Sequence, residues 1–106
     1  MECGNLYQQI PAKLPAEISE CLVSSGPVRI ERIVSNGHCS EPGFWYDQNQ
    51  NEWVMLVQGE ARLRFREGDR IVHLAPGDYI NIAAHVQHRV DWTKADGATI
   101  WLAVFY

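Results

Sequence analysis

From Val28 onward the chain alternates apolar and polar residues with a period of two, the pattern of a β-strand with one face in a core. The clearest run is Ala61–Arg66, where Leu63 and Phe65 alternate with Arg62, Arg64 and Arg66. Val28–Val34, Glu52–Gln58, Arg70–Ala75, Tyr79–Ile82, His88–Trp92 and Ala98–Tyr106 are the other predicted strands. Turn sequences separate several of them: Gln58-Gly59-Glu60, Glu67-Gly68-Asp69, Pro76-Gly77-Asp78 and Asp96-Gly97. Short, evenly spaced strands without long helices predict an all-β sandwich or small barrel. Ahead of them, residues 1–15 are irregular. Pro15–Val23 predicts one short helix, with Pro15 in its first turn, Glu17 near its positive end and Ser24-Ser25-Gly26-Pro27 ending it. The expected organisation is an N-terminal arm and short helix, residues 1–27, packing on a single barrel domain, residues 28–106.

Two strands are apolar on both faces. In Glu52–Gln58, Val54 and Leu56 alternate with Trp53, Met55 and Val57, and in Ala98–Tyr106, Ile100, Leu102 and Val104 alternate with Trp101, Ala103 and Phe105. One barrel interior covers one face only. The N-terminal segment (Leu6, Tyr7, Ile10, Leu14, Leu22) and a second subunit are the available covers, and together they predict a homodimer.

At 106 residues, the chain has room for one domain. Nine Lys and Arg against thirteen Asp and Glu give a net charge of −4, which argues against nucleic acid and anionic membranes as partners. The arginines of Ala61–Arg66 are accordingly read as a solvated outer face. No apolar run spans a bilayer, and Met1–Ile10 has no signal-peptide pattern, so the expected compartment is the cytoplasm. Cys3, Cys21 and Cys39 form no C-x-x-C pair and are read as reduced thiols.

Candidate chemistry concentrates between Gly43 and Trp92. Six residues separate Glu52 from Gly59. Gly77 is followed by Ala83, His85, His88 and Trp92 at the spacings of a glycine–proline–glycine–histidine–asparagine motif. This arrangement resembles the cupin superfamily, in particular its small single-domain members. In that family the first motif carries two histidines, which fall here on Tyr46 and Gln48, and a leading glycine, which falls on Ser40. In the second motif Ala83 stands at the proline, His85 at the second glycine and Trp92 at the asparagine. The resemblance spans residues 40–92 and implies an all-β double-stranded β-helix (jelly-roll, cupin-type) barrel. It also implies a divalent metal held inside the barrel, with Glu52 and His88 at ligand positions and Tyr46 and Gln48 at the replaced ones.

The residues themselves agree in part. Tyr46 and Gln48, two apart, share a strand face. If Glu52 faces inward, so do Val54 and Leu56, and a buried carboxylate needs a cation or metal beside it. His88 is a natural neutral nitrogen ligand. Gln48, Glu52 and His88 form the expected metal set, for Zn, Mn, Fe or Ni. The other reading is a metal-free pocket where Glu52 and His88 hydrogen-bond each other. His85 lies in a tight turn and stays open between a replacement ligand, an acid/base group at the pocket mouth and an exposed turn residue. His38 and His73 read as surface residues. Nearby aromatics, among them Phe44, Trp45, Trp53, Tyr79 and Trp101, suit core packing or a pocket for a small, partly apolar ligand.

The expected function is that of a small metal-binding protein acting on a small molecule. The metal serves as Lewis acid, and Tyr46 or His85 moves a proton. The alternative is a non-catalytic module that binds or senses a small ligand.

Overall fold

The computed structural model describes residues 1–106 and contains eight strands: β1 Ile18–Ser25, β2 Val28–Ser35, β3 Glu52–Gln58, β4 Ala61–Phe65, β5 Arg70–Leu74, β6 Tyr79–Ile82, β7 His88–Thr93 and β8 Thr99–Phe105. A single 3-10 turn, Glu67–Asp69, is the only helical element. The strands form a five-stranded sheet, ordered β1-β2-β8-β3-β6, and a three-stranded sheet, ordered β5-β4-β7. Every strand pairing is antiparallel. The strand pattern predicts an all-β sandwich or small barrel, and this is the jelly-roll form that the cupin resemblance implies. No helix is long and apolar enough to cross a membrane.

The core lies where the inward faces of the two sheets meet. Val54 and Leu56 of β3, Leu63 of β4, Leu74 of β5, Ile82 of β6 and Trp101, Ala103 and Phe105 of β8 are all buried in one apolar cluster. Register explains the alternation. Trp101 of β8 lies between Ile33 of β2 and Leu56 of β3, and Phe105 between Arg29 and Glu52. Arg29, Glu52, Trp101 and Phe105 therefore share the inner face.

The opposite face of the large sheet carries Trp53, Met55, Leu102 and Val104, all only partly buried. The N-terminal segment crosses part of it. Arg32 of β2, 5% exposed, donates from Nη1 to the carbonyls of Leu6 at 3.1 Å and Gln8 at 2.6 Å, and its guanidinium pairs with Glu20. At the other edge Trp53 packs on Tyr79 with ring centroids 5.4 Å apart, and Tyr79 remains exposed.

One predicted element is corrected. Pro15–Val23 is not a helix; Ile18–Ser25 is β1, the edge strand of the large sheet. Its partners decide the conformation: Ile18 stands opposite Val34, Ser19 opposite Ile33, and Glu20 opposite Arg32, with which it forms an ion pair. Helix propensity over a single short segment is weak beside a ladder of seven residue pairs and a charged cross-strand pair. The sheet thus begins inside the segment read as an arm.

Candidate functional site

Two chain segments are laced together at one end of the barrel. The backbone of Tyr46 pairs with that of His88, with N–H···O distances of 2.7 and 3.2 Å, as an isolated bridge. The His85 amide donates to the Gln48 carbonyl at 2.8 Å, and the Ala84 amide to Asn51 Oδ1 at 3.0 Å. Tyr46 and Gln48, read from the sequence as sharing a strand face, lie in no full strand, and this isolated bridge is the ladder contact there. It still sets Tyr46 and Gln48 beside the start of β3 and β7, where Glu52 and His88 begin their strands.

Tyr46, Gln48, Glu52 and His88 all line one cavity of about 230 Å³ between the sheets. Glu52 and His88 are buried, at 9% and 4% exposure. Gln48 Nε2 donates to Glu52 Oε1 at 3.0 Å, and His88 Nε2 stands 3.5 Å from the same oxygen. His88 Nδ1 lies 2.9 Å from the Val86 carbonyl, which can only accept, so Nδ1 carries a proton. In the neutral imidazole Nε2 then turns a lone pair towards a carboxylate oxygen. Two electron-rich atoms this close in a buried place need a proton or a cation between them. The ring is held flat against Tyr46, 5.4 Å away and 24° inclined, with Phe65 6.0 Å away.

The Tyr46 phenol is held above its ordinary pKa, first by burial and then by the negative charges of Glu17 and Glu52. It is therefore protonated at neutral pH, a hydrogen-bond donor and not a phenolate. His85 lies outside the cavity. Its backbone has φ of +64°, its side chain is 63% exposed, and Nδ1 stands 2.7 Å from Asp47 Oδ1. His73 is also at the surface, against Glu60, and the three cysteines are free and exposed.

Four polar cavity residues lie outside the expected set: Glu17, Ser19, Arg29 and Glu31. The Arg29 guanidinium pairs with Glu31 and lies 4.5 Å over the Phe105 ring, while Ser35 Oγ donates to Glu17 Oε2 at 2.9 Å. Period two in β2 puts Arg29, Glu31 and Ile33 on one face, but Ile30, Arg32 and Val34 on the other are as mixed. The pattern alone does not say which face turns in.

A divalent metal is the group this architecture implies, and the lining permits a fit test. No group of three or more His, Cys, Asp and Glu side chains gathers to hold an ion. Glu52 and His88 nevertheless converge a carboxylate and an imidazole on a cavity that Tyr46 and Gln48 also line, the Gln48 amide meeting Glu52 through its NH₂. That donor set fits a divalent cation with mixed nitrogen and oxygen ligands.

The family model for the cupin domain matches residues 32–105. The chain is a cupin. A crystal structure from Ralstonia eutropha JMP134, of a protein provisionally assigned as a mannose-6-phosphate isomerase, is 43% identical to this cupin with a TM-score of 0.96, covering 99% of this chain and 97% of that one. A cupin superfamily protein from Desulfitobacterium hafniense DCB-2 is 23% identical, TM-score 0.73, covering 91% of this chain and 82% of that one. Hydroxypropylphosphonic acid epoxidase from S. wedmorenis is 18% identical, TM-score 0.71, over 85% of this chain and 51% of that one. The last two likenesses concern the fold alone. No protein of curated function matches the sequence.

Proposed function

We propose that this cupin holds a divalent metal through Gln48, Glu52 and His88 and acts on a small molecule bound in the cavity. The observation that carries the reading is the buried approach of His88 Nε2 to Glu52 Oε1, 3.5 Å apart, which calls for a proton or a cation between them. Glu52 supplies the charge, His88 the nitrogen, and Gln48 a carbonyl oxygen once its amide turns from the orientation in which its NH₂ meets Glu52. Zn, Mn, Fe and Ni all suit such a set. When bound, the metal supplies Lewis-acid polarisation of a substrate oxygen. The chain's own residues do the rest. The apolar walls formed by Val54, Leu63, Ile82 and Val90 exclude water, and Tyr46 holds a proton at its phenol oxygen, ready to donate it to that oxygen. His85, paired with Asp47 at the surface, has no part in this scheme.

The Ralstonia relative makes mannose 6-phosphate the first substrate to assay. Tyr46→Phe is expected to lower turnover about 10²-fold or more while metal content stays unchanged. An unchanged rate refutes the role of Tyr46. Saturable ligand binding without turnover by any metal-loaded form favours the second reading, a non-catalytic ligand-binding module. We also propose a cytoplasmic homodimer. Three free, exposed cysteines suit a reducing compartment, and the partly covered Trp53, Met55, Leu102 and Val104 face suits a second subunit.

A further inference from the structure

We infer that Arg29 makes the cavity an oxyanion-recognising site, so that the ligand carries a carboxylate or a phosphate at the end that meets this residue. The inference rests on the reading of the cavity as a ligand site and adds the ligand's chemical class.

Register sets the frame. Arg29 of β2 stands opposite Phe105 of β8, and Phe105 stands opposite Glu52 of β3. The three side chains form one row across the inner face. Two strand spacings put the backbone of Arg29 roughly 10 Å from that of Glu52, a span for a molecule of a few carbon atoms.

The guanidinium is fixed on two sides and free on the third. Its Nε donates to the Glu31 carboxylate, and its plane lies 4.5 Å over the Phe105 ring. Nη1 and Nη2 bond no group in the protein, in contrast to Arg32 and Arg64, whose terminal nitrogens all have acceptors. Arg29 is the only guanidinium in the lining, and its side chain is 41% exposed. A planar fork with two free N–H edges, held in orientation, matches two oxygens of one carboxylate or phosphate. Each of the cavity's three carboxylates is held at one oxygen by a neighbouring donor: Glu31 by Arg29, Glu17 by Ser35 Oγ and Glu52 by Gln48. The free Nη1 and Nη2 edge is the feature that selects a ligand carrying two acceptor oxygens side by side.

The test is calorimetric titration of the metal-loaded full chain with matched pairs: mannose 6-phosphate against mannose, and glycerate against glycerol. The charged member of at least one pair is expected to bind about tenfold or more tightly than its neutral partner. Which pair shows the preference separates phosphate from carboxylate. Arg29→Gln is expected to remove that preference and Arg29→Lys to restore part of it, with thermal unfolding confirming that both variants fold. Equal binding of charged and neutral members, no binding by any probe, or a preference unchanged in Arg29→Gln overturns the inference. Metal content measured on the same samples keeps the two readings apart. A charge preference without stoichiometric metal upholds Arg29 and refutes the metal site; metal without a charge preference does the reverse.

Discussion

Gly59 gives a sharp test of the packing that closes the barrel beneath the site. It follows β3, seven residues after Glu52, with φ of +93°. A Cβ there would lie 2.4 Å from Thr99 Oγ1, 2.7 Å from Thr99 Cα and 2.9 Å from Thr99 Cβ. The first of these could be relieved by a side-chain rotation, but the second is backbone of β8, in the middle of the five-stranded sheet. Gly77 has the same φ of +93°, and a Cβ there would meet nothing within 4 Å. Gly77→Ala therefore carries the left-handed backbone cost alone, about 1–2 kcal/mol. Gly59→Ala adds the cost of forcing β8 away, about 1–3 kcal/mol for an overpacked site, for a total of about 2–5 kcal/mol. Against the 5–15 kcal/mol stability typical of single domains, that is a large fraction. At about 5 °C per kcal/mol for a domain of this size, Gly59→Ala should lower Tm by about 10–25 °C and Gly77→Ala by about 5–10 °C. The assay is thermal and urea unfolding of both variants beside the parent. Equal losses would refute the reasoning, because the two differ only in what surrounds the added methyl group.

Two further outcomes follow from other parts of the fold. Arg64 grips both carboxylate oxygens of Asp91, at 3.1 and 3.2 Å, and this hydrogen bonding, joined by the charges of nearby arginines, holds the Asp91 pKa below its ordinary value against the opposing effect of burial. A depressed carboxylate stabilises the fold above its unfolded pKa and loses that contribution as pH falls through the lower folded value. Asp91→Asn should thus cost about 0.5–1 kcal/mol at pH 7 in urea unfolding, with the difference closing as pH falls below about 4; a cost independent of pH contradicts the pairing. On the outer face, Met55→Arg should convert a dimer into a monomer in sedimentation velocity, and a parent that already sediments as one 12.1 kDa chain contradicts the proposed interface.

The strands were legible because their alternation survives in the sequence. Val54 and Leu56 set the inward face of β3, and that assignment turned Glu52 inward with them. His88 was legible through its spacing from Gly77. β1 was not: Ser19, Glu20, Cys21 and Leu22 carry no two-residue alternation, none of its residues is buried, and the strand is held by a long-range ladder with β2 and by Glu20 meeting Arg32. Residue type at position 85 left three roles open. The structure adds its position, an imidazole at the surface against Asp47 on a backbone of φ +64°. Arg29 and Glu31 were hidden by a different ambiguity. β2 is mixed on both faces, and only the Phe105 register says that these two charges line the cavity.

The central claim is that Glu52 and His88 hold a metal with Gln48. Elemental analysis of untagged, chelator-free protein, beside Glu52→Ala and His88→Ala, tests it most directly. The account predicts about one divalent ion per chain in the parent and loss of that ion in both variants. No metal after reconstitution with Zn, Mn, Fe and Ni, or variants that keep the ion, would contradict it.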